Sequence, residues 1–210
     1  MRVLGVDPGT RSFDVALVEG GRVVAEVSLG TEEVARDPAA LLRAVEELDP
    51  DYMVGPSGYG VPVTRGYGVL DPRRFAVEVL LLSIEEQIEE GSRSGELGVW
   101  VYEALARVVD HLVSKLGSRA VFIPAVVHLR TVPWYRKLKR VDIGTADKLA
   151  AAALAVHTYS YREGVDYSDV NVVVAEVGYG YSATLAVDGG RVVDGIGGTV
   201  ASAGTLTAGT

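Results

Sequence analysis

Asp7 ends an apolar run and is followed at once by Pro8, Gly9 and Thr10, before a second apolar run opens at Phe13. A carboxylate in that position can hold a hydrated Mg²⁺, an ion that takes one or two carboxylates and keeps several waters. Glycine lets the backbone approach an anion closely. Successive N–H groups in such a turn form a concave nest for phosphate oxygens. The same pattern returns late in the chain, where Glu176 ends an apolar run and Gly178, Gly180 and Ser182 follow. Sliding Gly20-Gly21 onto Gly189-Gly190 without gaps lays residues 4–24 on 173–193. Asp7 then meets Glu176, Gly9 meets Gly178, and the sequence GGRVV repeats identically. The expectation is a duplicated three-stranded unit with an acidic turn in each copy. Asp7 and Glu176 would be the metal-holding carboxylates, and two facing copies would grip a polyphosphate.

Other side chains qualify as candidates. Asp142 and Asp147 flank the start of an alanine-rich helix, where a carboxylate can orient an acceptor or hold a metal through water; the alternative for both, and the stronger one for Asp142, is ordinary helix-start capping and dipole stabilisation. Lys148 sits near that helix N-terminus against the dipole, which leaves two readings open, a phosphate or carboxylate partner or a solvated lysine. Arg65, in a long glycine-rich loop, has the planar fork that clamps a carboxylate or phosphoryl group. Ser57 in PSGYG lacks the G-x-S-x-G frame of a nucleophile elbow. His128, at the end of a buried strand, reads as a hydrogen-bonded structural residue, and His111 and His157 lie within helices. The basic stretch WYRKLKR at 134–140 reads as a solvated surface.

The elements that must position these residues follow from periodicity. Strands are expected at 2–7, 13–18 and in RVVAEVSL, with Gly20-Gly21 as a hairpin turn. Asp37-Pro38 is an N-cap followed by proline at the first helical position. A short strand, DYMVGPS, leads into the loop GPSGYGVPVTRGYG. AVEVLLLSIEEQIEEG is expected to be helical in its second half, and ELGVWVYEALARVVDHLVSKLG throughout, stopping at Gly117. RAVFIPAVVHL reads as a buried strand. Thr145 is expected to cap ADKLAAAALAVHTYSYR, and NVVVAEV, YSATLAV and RVVDGI close the chain as strands.

Composition narrows the function classes. The 210 residues include no cysteine, so disulfide and thiolate chemistry are excluded. The net charge of −8 speaks against a protein living on duplex nucleic acid. The longest apolar stretches are too short to span a bilayer, and no signal-peptide pattern precedes the first strand. A cytoplasmic protein with no membrane partner is expected. One asparagine, one glutamine and abundant Val, Arg and Glu fit a thermophile.

VDPGTRSFDVALV resembles the first phosphate motif of the sugar kinase, heat-shock chaperone and actin ATPase superfamily, and EVGYGYSATLAV its second. GTADKLAAAALAV resembles the helix connecting its two lobes. Over almost the whole chain, the PSGYG loop, the GTADK helix start and the IGGT strand end (Gly197, Gly198, Thr199) resemble an archaeal family of predicted butyrate kinases. The resemblance implies an α/β, duplicated ribonuclease H-like fold of mixed sheets and flanking helices. It would comprise one lobe over 1–140, then a connecting helix and a second lobe begun over 141–210. It also implies ATP and Mg²⁺ as cofactors, with Asp7, Gly9 and Thr10 in the first phosphate motif. Glu176, Gly178, Gly180 and Ser182 belong to the second. The expected partner is a small molecule such as a short-chain carboxylate, in a homodimer or larger assembly.

Two departures stand out. Glu176 occupies a place where many superfamily members carry aspartate or a neutral residue. The superfamily also continues past the IGGT strand into helices and an adenosine-binding motif. A fragment, or burial of one sheet face by another chain, is therefore expected. Two rival functions share the motifs. GVDPGTRSFDVALV and TADKLAAAALAVH also resemble Holliday-junction resolvases, where Asp7, Asp142 and Asp147 would hold two metals. A non-catalytic binding scaffold of the same fold is the other.

Overall fold

The computed structural model describes residues 1–94, 97–138, 142–178 and 181–198. The chain divides into two compact units. One comprises Met1–Ser57 with Pro62–Ile123; the other comprises Gly58–Val61 and the chain from Pro124 onward. The border expected at residue 140 therefore falls after Ile123, and four residues of the glycine-rich loop belong to the second unit.

The first unit opens with strands β1 (Arg2–Pro8), β2 (Ser12–Glu19) and β3 (Arg22–Gly30). Helices α1 (Thr31–Arg36) and α2 (Pro38–Leu48) follow. The Asp37 carboxylate accepts from the Ala39 N–H at 3.1 Å, which caps α2 as its sequence requires. Then come β4 (Tyr52–Val54), β5 (Thr64–Arg65), α3 (Pro72–Phe75), α4 (Glu85–Ser94), α5 (Leu97–Leu116) and β6 (Ala120–Phe122). A π-helical turn, Ala76–Leu80, occupies the first half of the segment whose second half is α4.

The sheet order is β3-β2-β1-β4-β6-β5. The first three strands are antiparallel, and β4 and β6 run parallel to β1. This is the ribonuclease H-like arrangement, a meander extended by crossover strands beside β1. Leu4 pairs with Leu17 and Val6 with Val15, and all four are buried. Helices α1 and α2 pack on the same part of the sheet, against β2.

The strand expected over RAVFIPAVVHL stops at Phe122. Pro124 has no N–H to donate to a ladder, and the chain turns instead through a 3₁₀ turn at Val126–His128.

The second unit contains α6 (Trp134–Lys137), α7 (Ala146–Glu163), β7 (Val172–Val177), β8 (Ser182–Asp188) and β9 (Arg191–Ile196). Its core packs Ala152 and Val156 of α7 against Leu185, Val187 and Val192, with Val126, Ile143 and Val170 closing the sides. Gly164, with φ of +65°, ends α7 in the left-handed conformation favoured at that position. Among the described residues, no helix is long and apolar enough to cross a membrane.

The duplication is visible in backbone detail. At an offset of 169 residues, the register Asp7–Asp14 becomes Glu176–Ala183. A β-bulge falls between Leu17 and Val18 in the first copy and between Ala186 and Val187 in the second, the same place. The hairpin glycines have φ of +57° and +78° at Gly20 and Gly21, and +55° and +70° at Gly189 and Gly190. Both pairs need positive φ at the two central positions, as a type I′ turn does.

Candidate functional site

Each acidic turn is closed by one backbone hydrogen bond. The Gly9 N–H donates to the Ser12 carbonyl at 2.8 Å, and the Gly178 N–H donates to the Tyr181 carbonyl at 3.0 Å. A Cβ on Gly9 would stand 2.9 Å from the Ser12 oxygen, and one on Gly178 only 2.6 Å from the Tyr181 oxygen. Both glycines are thus required by contact with backbone. In the first turn the Thr31 hydroxyl also donates to the Gly9 carbonyl at 3.0 Å, tying the turn to the start of α1. Thr10 is exposed on the same turn.

Around this shared backbone the two copies differ in charge. Asp7 is exposed and pairs in register with Asp14, so two carboxylates stand side by side on one face of the β1–β2 ladder. Like charges directly opposite destabilise a sheet. Asp14 accepts from the Ser12 and Ser28 hydroxyls at 2.7 and 2.5 Å, which steadies one of them. Two exposed carboxylates suit Mg²⁺, which needs no larger protein cage. Asp14 is a residue that motif reading overlooks. Its signal is an acidic side chain in the middle of the apolar run FDVALV.

In the second copy Ala183 replaces that neighbour, and Glu176 is ion-paired to the Lys148 ammonium. Lys148 is 9% exposed and also lies 2.9 Å from Asp147. Burial alone would lower its pKa, but the hydrogen bonds and charges of Glu176 and Asp147 outweigh that and raise it above the ordinary lysine value. The cation that opposed the α7 dipole thus has two carboxylate partners. Glu176 already has an ammonium as its counter-charge.

Ser182, seven per cent exposed, has a side-chain oxygen with no hydrogen-bond partner among the described residues. A buried hydroxyl normally finds a partner. An orphan at the mouth of a glycine turn fits a phosphate oxygen as its missing acceptor.

Asp142 is buried, and its carboxylate accepts from the Gly144 N–H at 2.9 Å. The Gly197 backbone lies so close that a Cβ there would stand 1.7 Å from the carboxylate oxygen. The Tyr59 phenol has a pKa raised by burial and then by the charges of Asp142 and Tyr181. Tyr59 comes from the glycine-rich loop, and the Gly58 carbonyl beside it accepts from the Ala146 N–H at 2.9 Å. The loop therefore caps α7. The Thr145 side chain, expected to do so, donates instead to Asp147 at 2.5 Å. Gly198 follows, with room for a Cβ only at 3.0 Å from the Ser182 carbonyl. Gly180 and Thr199 lie outside the described residues.

Arg65 belongs to the first unit. It donates to the Ser118 carbonyl at 2.7 Å and lies over the Tyr52 ring at 5.8 Å, partners that anchor β5. Ser57 is likewise structural, donating to the Gly55 carbonyl and accepting from the Ile123 N–H. His128 accepts from the Ala125 N–H, and burial followed by Lys137 lowers its pKa. The basic stretch is not wholly solvated. Arg136 forms a two-pronged pair with Asp194, and Lys137 donates to the Leu129 carbonyl. Among the described residues, no group of three or more His, Asp and Glu side chains is placed to hold a metal ion.

The profile of one protein family, described as "Protein of unknown function (DUF1464)", matches residues 5–210. The chain belongs to this family. No curated protein matches the DUF1464 chain. Among solved structures, it is similar to acetate kinase from Entamoeba histolytica, at 10% identity and a TM-score of 0.49, covering 93% of this chain and 54% of that one. It is also similar to acetate kinase from Porphyromonas gingivalis, at 14% identity and a TM-score of 0.48, covering 92% of this chain and 56% of that one. The DUF1464 chain thus spans about half the length of the acetate kinases it matches.

Proposed function

We propose that this protein is an ATP- and Mg²⁺-dependent phosphotransferase of the acyl-kinase kind, with a short-chain carboxylate such as butyrate or acetate as acceptor. The observation that carries the reading is the duplicated strand–turn–strand, in which each copy keeps the same cramped glycine, the same closing bond and a carboxylate at the strand end. The orphan Ser182 hydroxyl supports it, as a donor suited to a phosphate oxygen.

Asp7, with Asp14 beside it, would hold Mg²⁺, which when bound would neutralise charge on the transferring phosphoryl group. The turns at Gly9 and Gly178 would let phosphate approach the backbone without a side chain in the way. The acceptor carboxylate oxygen forms the new bond to the γ-phosphorus as the bond to the β-bridging oxygen breaks, giving an acyl phosphate and ADP. Such an acceptor is already ionised at neutral pH. No general base is needed, so Asp142 and Asp147 act here by position: Asp142 fixes the Gly144 backbone, and Asp147 helps to fix Lys148.

Hydroxylamine trapping tests this reaction. Incubation with Mg²⁺, ATP and a panel of two- to five-carbon acids is expected to yield a hydroxamate with at least one acid, and none with Asp7→Asn. A folded, ATP-binding protein that yields no hydroxamate from the whole panel contradicts the carboxylate acceptor.

A further inference from the structure

The duplication sets two acidic turns on one backbone template, which makes their charges directly comparable. At the first, Asp7 is exposed beside a second carboxylate, Asp14. At the second, the matching Glu176 is partly buried and joined to Lys148, and no acidic residue faces it across the ladder, where Ala183 stands. Lys148 comes from the first turn of α7, is nine-tenths buried, and also engages Asp147. A divalent ion placed on Glu176 would sit against this ammonium, and the two like charges would compete for one carboxylate. Expelling the ammonium would leave a buried cation without one of its counter-charges, which is strongly unfavourable. The second turn therefore does not fit a metal.

We infer that the second turn is a lysine-wired copy of the first: Lys148 holds the cation position beside Glu176, and Glu176 is a positioning residue for Lys148 rather than a metal ligand. Lys148 is then a fixed organic cation at the second turn, and the divalent cation of the proposed kinase would belong to the first turn. The inference rests on the phosphotransferase reading only for the role of the metal. The charge arrangement at Glu176 stands without it. Ammonium donors suit phosphate as point charges, and Lys148 has three N–H groups with two carboxylates to serve.

The test is site-resolved Mn²⁺ broadening of backbone amides in NMR spectra of isotope-labelled protein. In the wild type, substoichiometric Mn²⁺ is expected to remove most of the Gly9 and Ser12 amide intensity and to spare Gly178 and Tyr181. Glu176→Gln, which keeps Lys148, is expected to leave that pattern unchanged. Lys148→Met frees Glu176 and Asp147, and should add a second broadened region at Gly178; Mg²⁺ should then also raise the Tm of this variant more than that of the wild type. Broadening at Gly178 in the wild type, lost in Glu176→Gln, overturns the inference, as does a folded Lys148→Met that gains no metal response. If Lys148→Met does not fold, the wild-type and Glu176→Gln patterns decide. Absence of broadening at Gly9 would count against the metal site of the proposed kinase. The Lys148 assignment would still be decided by whether Gly178 responds in the Lys148→Met variant.

Discussion

The two copies of the strand–turn–strand unit share register, bulge and turn conformation, yet they bury opposite faces. Leu4, Val6 and Val15 are buried in the first copy, whereas their counterparts Val173, Ala175 and Thr184 in the second are exposed, Val173 by 69%. The second copy instead packs Leu185 and Val187 against α7, and the residues matching these in the first, Ala16 and Val18, are only half-buried. A backbone template thus fixes where the turn and its carboxylate stand. The surrounding helices decide which side of the ladder is dry, and in the second copy α7 sets a lysine beside the carboxylate.

The hairpin glycines break this comparison most sharply. A Cβ on Gly21 meets nothing within 4 Å, but one on Gly190 would lie 2.2 Å from the Tyr167 carbonyl. Gly21→Ala should cost about 1 kcal/mol for the left-handed backbone alone. Gly190→Ala adds a collision with backbone and should cost about 3 kcal/mol or more. Amide exchange in the two hairpins reads each unit separately, and equal losses would show that the template, not its surroundings, sets the cost.

Lys148→Met comes next. Removing one partner of a buried ion pair costs about 3 kcal/mol, and somewhat less here because Asp147 is 38% exposed. The folded-state pKa of Lys148 is raised above 10.5. The stability its charge supplies is therefore fully present below the unfolded value, and is lost as pH rises through the folded one. Thermal melting against pH should show a gap between wild type and variant that is constant from neutral pH to about pH 10 and narrows above 10.5. A gap that narrows below pH 9 would assign the stabilisation to another group.

Asp14→Asn is the smallest change. It relieves a like-charge pair and keeps an acceptor for Ser12 or Ser28, so stability should move by less than about 1 kcal/mol. Mg²⁺-dependent nucleotide binding should weaken several-fold, as titration calorimetry would show. An unchanged affinity would remove Asp14 from the metal site.

Much of this was legible in the residues. Gly-Gly pairs flanked by alternating apolar residues specify both hairpins, and Asp37-Pro38 specifies the start of α2, because these signals act within a few positions. The features that escaped depend on distant partners. Glu176 lies far along the chain from Lys148, so the sequence leaves open whether that lysine meets an anion or water, and the fold supplies Glu176. The Gly58 carbonyl caps α7 from a loop nearly ninety residues earlier. Arg65 has the chemistry of a clamp, but its carbonyl partner at Ser118 becomes visible only when β5 pairs with β6. The division of the chain escaped for a related reason, since Pro124 ends a run that looks like one uninterrupted buried strand.

Calorimetric titration of ATP with Mg²⁺ into the wild type and Asp7→Ala decides whether the first turn holds metal and phosphate. Mg²⁺-dependent binding to the wild type is expected, and it should be lost or weakened at least tenfold, roughly 1.4 kcal/mol, in the variant. A folded wild type that binds no nucleotide, or a variant that binds it equally well, would contradict a metal–phosphate role for the first turn.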